Sequence, residues 1–516
     1  MFWLTFAALA CIVLVSQFVR SRLRRLAGKL PFPPGPKGYP IIGNLLDLPT
    51  VEPSKTYREW SNIYGDVVYL DLPFRPTAVL GSVKAARDLL EKRSDIYSDR
   101  YSGVTIDLCG WGFNIALMGY SQRWRAHRRA LHQYVNERAQ RQWNSIQLDE
   151  SRMFIRRLLD EPENLNAYIP LMSAAIILRI VYGMRINSTD DEYIRIVREA
   201  VRGFSVAVVP GNFWVDYIPI MRYLPEWFPG TGFKRFAKEI REYVDVMKYK
   251  PFEDVVERME MNTAEPCLTS AFIAKTREQC QTPEEWAAQE EIIVNVAGIA
   301  YAAGADTTVA AVRYFFAAMS LYPNVQKAAQ KELNDVVGPH RLPTFDDFDK
   351  LIYIRAVVLE SLRWQVVAPF GMPHRSIRDD VYNGYFIPAG TEIIPNAWAM
   401  LHDPEEYPDP YEFKPERFIK VGKLDPNVRD PTTIAFGFGR RICPGRHLAN
   451  ATLFIVIAST LHTFNIEPKD GERFDPNTMI ETGVISGPTK LPCIVKSRSK
   501  DAEHLVRGAF AAPQEE

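Results

Sequence analysis

The residues with the clearest chemical potential surround Cys443, in a Phe-Gly-Phe-Gly-Arg-Arg-Ile-Cys-Pro-Gly run that begins at Phe436. A thiolate is a strong, soft iron ligand that pushes electron density onto a haem iron. Glycines near the cysteine let backbone N–H groups approach the sulfur and tune it. Arg441, two residues before the cysteine, is suited to pair with a haem propionate. The spacing therefore favours a metal-ligating cysteine over an inert core residue.

A second reactive group lies in the apolar stretch 283–321, where Asp306 and Thr307 follow a run of small residues. A charged Asp306 among apolar neighbours is costly unless it is paired or functional. We expect Thr307 to bond back to the carbonyl of Ala303 and to loosen the helix there. The small residues at 302–305 are expected to leave space for a bulky group beside the backbone. An acid next to an alcohol favours a proton relay, and the alternative is a polar turn in a core helix.

Trp124 and Arg128 are four residues apart in a basic helical segment, so their side chains point the same way. An indole N–H and a guanidinium are both good donors to carboxylates. The plainer interpretation of this segment is a basic amphipathic helix for docking or solubility. Glu360 and Arg363 are three apart, which taken alone predicts only a surface ion pair.

A mostly helical body must position these groups. Periodicity predicts helices up to about residue 340, the longest of them at 283–321, with breaks at 210–211 and 229–230. Short strands are predicted at Asp66–Leu70 and Thr77–Leu80, and a later hairpin pairs Val381–Ile387 with Thr391–Asn396. The stretch 403–430, rich in Pro, Asp and Tyr, is expected to be an irregular meander. A polar, frayed tail is expected from Ser497 onward.

Composition excludes several function classes. The chain has 516 residues and a formal net charge of zero, which gives no reason to expect nucleic acid as a partner. Its six cysteines are scattered without paired spacing, which fits a reducing compartment and argues against a disulfide framework or a structural zinc site. The histidines at 127, 132 and 447 lack ligand spacing with carboxylates, so no metal is expected outside a haem.

The first nineteen residues are apolar and uncharged. As a helix they would reach about 28 Å, close to the thickness of a bilayer core. A basic cluster follows at 20–29, which predicts a retained anchor with the rest of the chain in the cytosol. A cleaved signal peptide, with Ala8-Leu9-Ala10 as its cleavage site, is the alternative. The predicted domains are a transmembrane anchor at 1–19, a basic and proline-rich hinge at 20–50, a catalytic domain at 51–496 and a polar tail at 497–516.

The run around Cys443 resembles the haem-binding loop of the cytochrome P-450 monooxygenases, and the chain is similar to the membrane-bound, microsomal type of that family. Residues 303–308, Glu360–Arg363 and Pro415–Phe418 resemble three further elements of the family. The resemblance implies a mainly α fold with a minor β-sheet region, preceded by one transmembrane helix. It also implies heme b as the cofactor, with Cys443 as the axial iron ligand.

Other site residues follow from the same resemblance. Asp306 and Thr307 are implied to deliver protons during oxygen activation, and Phe436 belongs to the haem-binding loop. Glu360, Arg363 and Arg417 are implied to form a buried structural network. The implied propionate contacts are Trp124, Arg128, Arg441, His374 and Arg100.

The implied activity is insertion of one oxygen atom from O2 into a C–H bond of a small lipophilic molecule. Electrons would come from NADPH through a cytochrome P-450 reductase, with cytochrome b5 as an optional second donor, at a face that carries Arg440 and Arg446. The expected localisation of the protein is the endoplasmic reticulum membrane. A fainter similarity to fungal secondary-metabolism members, the O-methylsterigmatocystin oxidoreductase group, favours a terpenoid, polyketide or indole-type substrate. The apolar pocket is expected at Val104–Leu117, Ala300, Ala303, Val366–Phe370 and Val484–Ile485.

Two alternatives remain open from the sequence. One is a haem-thiolate isomerase or dehydratase that acts without O2. The other is a non-enzymatic haem-binding membrane protein, which would leave Asp306 and Thr307 without a role.

Overall fold

Helices dominate the computed structural model, which describes residues 30–509 except 74, 210, 473, 477–480, 483 and 489. The predicted anchor at 1–19 and the basic cluster after it lie outside these residues, as does Pro210. The helices are α1 Pro53–Tyr64, α2 Val83–Ala86, α3 Ser94–Tyr97, α4 Val104–Leu108, α5 Gln122–Val135, α6 Asn144–Asp160, α7 Leu165–Tyr182, α8 Glu192–Val208, α9 Gly232–Glu260, α10 Leu268–Gln279, α11 Pro283–Leu321, α12 Pro323–Val336, α13 Ile352–Trp364, α14 Ala397–Leu401, α15 Thr432–Ala435, α16 Arg446–Thr463 and α17 Lys500–Gly508.

The strands are short and form small sheets beside the helical body. They are β1 Val67–Leu70, β2 Thr77–Leu80, β3 His374–Arg375, β4 Asp380–Tyr382, β5 Tyr385–Ile387, β6 Glu392–Pro395, β7 Ile419–Lys420, β8 Lys423–Leu424, β9 Phe464–Pro468, β10 Glu481–Thr482, β11 Ile485–Ser486 and β12 Cys493–Ser497. The largest sheet has the order β1-β2-β6-β3. The prediction of a mainly α fold with a minor sheet is confirmed, and so are the two early strands to within one residue.

The later hairpin prediction was wrong in its partners. The hairpin joins β4 to β5, with Tyr382 opposite Tyr385. Asn383 and Gly384 between them have φ of 50° and 81°, the left-handed pair that a two-residue turn needs. The strand β6 instead runs parallel to β2 and antiparallel to β3. The Asn383-Gly384 pair, which lies inside the first predicted strand, was therefore a stronger turn signal than Pro388-Ala389-Gly390.

The longest predicted helix is confirmed as α11, which runs through the centre of the helical body. Its start follows from sequence, because the Thr282 side chain accepts from the backbone N–H of Glu285 and Pro283 needs no N–H partner. The helix packs against α7, α9, α10, α5 and α16. Stretches Pro162–Tyr182 and Pro283–Leu321 both have the length and hydropathy of a membrane span. Most of each apolar window, 72% and 61%, is buried inside the fold, which accounts for that composition.

Residues 497–508 are more ordered than predicted. Instead of fraying from Ser497, the chain forms α17, and the Ser499 side chain caps its first turn. Ala502 and Val506 are buried on the inner face of this helix. The rest of the predicted tail, 510–516, lies outside the described residues. Arg507 forms an ion pair of 3.0 Å with Asp160 of α6. The apolar residues at 502 and 506 are four apart, a helical signal that the polar composition of the tail concealed.

Candidate active site

A tight turn shapes the loop that carries Cys443. Gly439 has φ of 56°, and a Cβ added there would lie 2.1 Å from the carbonyl oxygen of Leu90, so only glycine fits. The backbone N–H of Cys443 donates to the carbonyl of Phe436 at 2.8 Å. The helix α16 begins three residues after the cysteine. The loop thus fixes the thiol between a one-turn 3₁₀ segment, Gly439–Arg441, and a helix N-terminus.

Opposing effects act on the Cys443 thiol. Burial raises its pKa, while the backbone N–H of Gly445 and the cations Arg128 and Arg446 act in the opposite direction. A Cβ at Gly445 would lie 4.0 Å from the sulfur, an ordinary contact distance, so the backbone at 445 passes close to the thiol. Donors and cations around a sulfur stabilise its thiolate form, and a coordinating metal deprotonates a thiol outright. The surroundings suit a ligated thiolate.

Arg441 lies beside this loop with its guanidinium turned inward. Its Nε donates to the carbonyl of Ser98 at 2.7 Å, and its Nη2 donates to that of Met118 at 2.8 Å. The guanidinium also stacks on the Trp124 indole, 4.2 Å from the ring centroid. Burial lowers the pKa of Arg441 to about 10. This cation is held by carbonyls and a ring rather than by a carboxylate.

Arg100 and His374 lie next to Arg441. Arg100 donates to the carbonyls of Met372 and Pro373, and its Nε is buried without a partner. Burial and repulsion from Arg441 hold the Arg100 pKa well below its usual range. The His374 Nδ1 lies 2.7 Å from the carbonyl of Tyr97, so that nitrogen carries the ring proton. Burial and the nearby Arg100 hold the His374 pKa well below its usual range.

Trp124 and Arg128 share a face of α5, as their spacing predicted. The Trp124 indole N–H donates to the carbonyl of Ile115 at 3.1 Å, an acceptor that also receives a donor from Arg441. Arg128 donates to the carbonyl of Ile442, one residue before the cysteine. Both side chains therefore reach the cysteine loop. Their hydrogen-bond partners in this structure are main-chain carbonyls.

These residues form one cluster, the cationic cradle, made of Arg100, Trp124, Arg128, His374 and Arg441. Within the described residues, none of its three arginines forms an ion pair with a carboxylate. Asp99 is the carboxylate that raises the pKa of both Arg100 and Arg441, and it acts only through space. Buried cations without counter-charges are costly. The cradle is therefore suited to an anionic group that the described part of the chain does not supply.

Asp306 and Thr307 lie in the middle of α11. The Thr307 hydroxyl donates to the carbonyl of Ala303 at 2.9 Å, as predicted. Ala303 and Thr307 are exposed one turn apart, although Ala302 and Val309 beside them are buried, so this side of the helix lines an open interior space. Burial raises the pKa of Asp306, and Arg313 opposes the shift. A carboxyl whose pKa is raised, beside a hydroxyl that faces open space, can pass protons.

Gly304, one of the small residues of this segment, packs against α7 and does not line the open space as we expected. A Cβ at Gly304 would lie 2.6 Å from the Ile177 side chain of α7, so the glycine allows two helices to approach closely. The Ser173 hydroxyl on α7 donates to the Gly304 carbonyl at 2.9 Å. The prediction that residues 302–305 all leave space for a bulky group was wrong, because Ala302 is buried and Gly304 faces α7.

The structure confirms the buried network of Glu360, Arg363 and Arg417. Arg363 donates to both Glu360 oxygens, at 2.7 and 2.8 Å, and Arg417 Nε lies 3.2 Å from Oε1. Arg363 also donates to the carbonyls of Leu401, Pro410 and Glu412. The network joins α13 to the irregular meander.

Comparison with known proteins identifies the family. The sequence profile described as Cytochrome P450 matches residues 33–493. The chain belongs to the cytochrome P450 family.

Curated relatives agree over nearly the full length. The P450 is 40% identical to Cytochrome P450 monooxygenase 208 of Postia placenta, with 96% of each chain covered. It is 38% identical to Cytochrome P450 monooxygenase COX2 of Coprinopsis cinerea, with 91% of this chain and 89% of the relative covered. It is also 38% identical to Tryptamine 4-monooxygenase of Psilocybe cyanescens, with 97% and 99% covered.

Membership in the P450 family establishes the general chemistry. The protein is a haem-thiolate oxidoreductase whose cofactor is heme b. It is a monooxygenase, and P450 monooxygenases use O2, a redox partner and lipophilic substrates. The cationic cradle suits the propionates of this cofactor, and the loop of Cys443 suits its iron.

The sequence did not predict several residues that contact the cysteine-loop and α11 residues of the P450 site. Tyr120 lies 5.1 Å from the Trp124 ring, centroid to centroid, and Arg440 donates to its hydroxyl at 2.7 Å. Asp99 accepts the Tyr120 backbone N–H at 2.8 Å. The only sequence signal for Tyr120 is its position just before the helix-capping Ser121. Arg313, seven residues after Asp306 on one helix face, was signalled by spacing alone.

Proposed function

We propose that this P450 uses Cys443 as the axial thiolate ligand of heme b and holds the cofactor's propionates in the cationic cradle. Bound there, the haem supplies the oxidising chemistry. Phe436 belongs to the same loop, and its carbonyl accepts the backbone N–H of Cys443. Arg100, Arg128 and Arg441 would then gain ion pairs, which they do not form with any carboxylate of the described residues. Trp124 orients Arg441 by stacking on its guanidinium.

The observation that carries this proposal is the set of buried arginines that form no ion pair with a carboxylate of the described residues, next to a cysteine loop that donates N–H groups to its own sulfur. A structural salt-bridge cluster would contain its own carboxylates, as the Glu360 network does. Charge-assisted bonds to carboxylates are roughly twice as strong as neutral ones. A dianionic ligand would therefore bind this cradle tightly.

Asp306 and Thr307 are proposed to move protons on the other side of the cofactor. Thr307 presents a hydroxyl to the open space while its own proton is held by the Ala303 carbonyl. The raised pKa of Asp306 brings its carboxyl closer to the working pH, so it can both take up and release a proton. The two residues would relay protons inward from solvent.

The substrate is proposed to be a small lipophilic natural product of terpenoid, polyketide or indole type. The apolar candidates Val104–Leu117 and Val366–Phe370 support this, because their side chains offer almost no charge for a polar substrate. Ser486 connects two pocket segments, since its backbone N–H donates to the Val367 carbonyl at 2.7 Å. One relative is a monooxygenase of tryptamine, an indole amine.

NADPH–cytochrome P450 reductase is proposed as the electron donor, with cytochrome b5 as an optional second donor. Exposed arginines at 125, 129 and 440 form a cationic surface, here called the donor face, on the outer side of the cysteine loop and α5. Cationic surfaces favour fast association with acidic partners. We also propose that residues 1–19 anchor the enzyme in the endoplasmic reticulum membrane with the catalytic domain in the cytosol.

The test is turnover of a lipophilic natural-product panel, first screened by haem absorption shifts. Turnover should require NADPH and reductase, and product formed without either would favour an isomerase or dehydratase. Thr307→Ala should keep the haem spectrum while diverting electrons from product to peroxide. The matched control is Thr308→Ala, on the next position of the same helix, which should stay coupled. Equal coupling in both variants would refute the relay.

A further inference from the structure

An aromatic ring connects the donor face to the cationic cradle. Tyr120 lies between exposed and buried arginines, partly buried itself. Arg440 lies 5.3 Å and Arg125 lies 5.5 Å from its ring centroid on the outer side. Arg441 lies 5.9 Å from the same centroid on the inner side. Three guanidinium groups from two segments of the chain thus share one phenol ring.

The position of Tyr120 is fixed from several directions. Its backbone N–H donates to Asp99 Oδ1, and a Cβ at Gly119 would lie 3.2 Å from that oxygen. The Asp99 carbonyl accepts the backbone N–H of Arg375 at 2.9 Å, in the strand that also carries His374. The ring itself packs on Trp124, which holds Arg441. Movement of Tyr120 would therefore be felt throughout the cradle.

The charges around the ring oppose each other. Three cations that converge on one ring repel, and the negative face of the phenol offsets only part of that repulsion. Carboxylates of a docked donor would neutralise Arg125 and Arg440 from outside. Propionates would neutralise Arg441 from inside. An anion on either side lowers the positive potential that attracts the anion on the other side, so the two binding events weaken each other, and thermodynamic linkage makes the effect mutual.

We propose that Tyr120 is a positioning residue that couples docking of an acidic electron donor at the donor face to a weaker hold on haem in the cationic cradle. The inference rests on the proposed use of that face by the reductase. It assigns Tyr120 a role through Arg440 and Arg441, without contact to substrate. The phenol hydroxyl serves the outer arginine, and the ring serves the inner pair of Trp124 and Arg441.

The first test needs no variant. Haem transfer from the holoenzyme to excess apomyoglobin is followed by absorbance, with and without the isolated FMN-binding domain of a cytochrome P450 reductase. A saturating amount of the domain should speed haem transfer about threefold, because bound carboxylates lower the positive potential that holds the propionates. An unchanged transfer rate with the domain bound would overturn the coupling, while the docking itself would stand.

Variants then separate the hydroxyl from the ring. Tyr120→Phe keeps the ring, so it should weaken binding of the FMN domain about threefold and leave the haem transfer rate unchanged. Tyr120→Leu removes both, so it should weaken domain binding about tenfold and speed haem transfer about tenfold. A change in only one of the two quantities for Tyr120→Leu would overturn the proposed link. If Tyr120→Leu does not fold, Tyr120→Phe and the first test decide.

Two controls separate this inference from the proposed docking. Tyr249 on α9 also lies beneath a cation, 4.5 Å from Lys248, and accepts its bond at 3.1 Å. Tyr249→Leu should change neither quantity, and a similar acceleration of haem loss would show a general effect of losing such a pair. Arg129→Glu, on the donor face but not on the ring, should weaken domain binding only. Unchanged binding in Arg129→Glu and Arg440→Glu would refute the docking face itself.

Discussion

The two buried charge clusters, the Glu360 network and the cationic cradle, differ in how their positive charges are balanced. The Glu360 network contains one carboxylate and two guanidinium groups, with six further bonds from Arg363 and Arg417 to carbonyls, five of them in the meander. Within the described residues, the cationic cradle offers Arg100, Arg128 and Arg441 no carboxylate partner. The network is complete without a ligand, whereas the cradle is not.

The difference separates structural from cofactor-binding charges in a way that burial alone does not. Arg363 and Arg100 are both buried, and a list of buried arginines would treat them alike. Their partners distinguish them, because a paired cation stabilises its fold only while the pair is intact. An unpaired buried cation instead contributes to the binding of an anionic ligand. Loss of each cluster should therefore affect different measurements.

The largest effect is expected when the complete network is broken. Glu360→Gln leaves two buried guanidinium groups without their carboxylate and should lower the free energy of unfolding by about 3–5 kcal/mol. Denaturant unfolding of the haem-free protein measures it. The matched control is Glu406→Gln, which removes a half-exposed bidentate partner of Arg429. That change should cost at most about 1 kcal/mol. Similar losses in both variants would contradict the structural role of the network.

An intermediate effect of a different kind is expected in the cradle. Arg100→Gln removes a cation that burial and Arg441 already disfavour, so the haem-free protein should change in stability by at most about 1 kcal/mol. Haem transfer to apomyoglobin should become at least about tenfold faster, because a charge-assisted bond to a propionate is lost. Strong destabilisation of the haem-free protein with unchanged haem transfer would assign Arg100 to the structural class.

The smallest effect concerns pH. The folded His374 has a pKa well below that of the unfolded chain, so the unfolded chain binds a proton first as pH falls through about 6.5. Stability of the haem-free protein should therefore decline below that pH, and His374→Gln should reduce the decline. Propionates would raise the His374 pKa, so the benefit of His374→Gln should shrink in the holoenzyme.

His402 provides the comparison for this measurement. It stacks on Trp398, and burial lowers its pKa to about 3. No propionate is proposed near it, so His402→Gln should reduce the acid decline equally with and without haem. Urea midpoints at neutral and mildly acidic pH test both variants. An equal benefit of His374→Gln in both forms would remove His374 from the cradle.

The features of the site that depend on local spacing could be predicted from the sequence. The bond from Thr307 to Ala303 and the shared face of Trp124 and Arg128 follow from helix geometry alone. Gly304 was misjudged because its partner Ile177 is more than a hundred residues away and only packing reveals it. Tyr120 was missed for the same reason, since Arg440 and Arg441 reach it from a distant loop. The hairpin at 383–384 was misassigned although its Asn-Gly signal was local.

The central claim is that Cys443 supplies the thiolate. The direct measurement is the absorption spectrum of the reduced, carbon-monoxide-bound protein for Cys443→Ser, with Cys280→Ser as a control at a cysteine outside the cradle. Cys443→Ser is expected to abolish the thiolate-type spectrum, whereas Cys280→Ser should retain it. A thiolate-type spectrum that persists in Cys443→Ser would show that Cys443 is not the ligand.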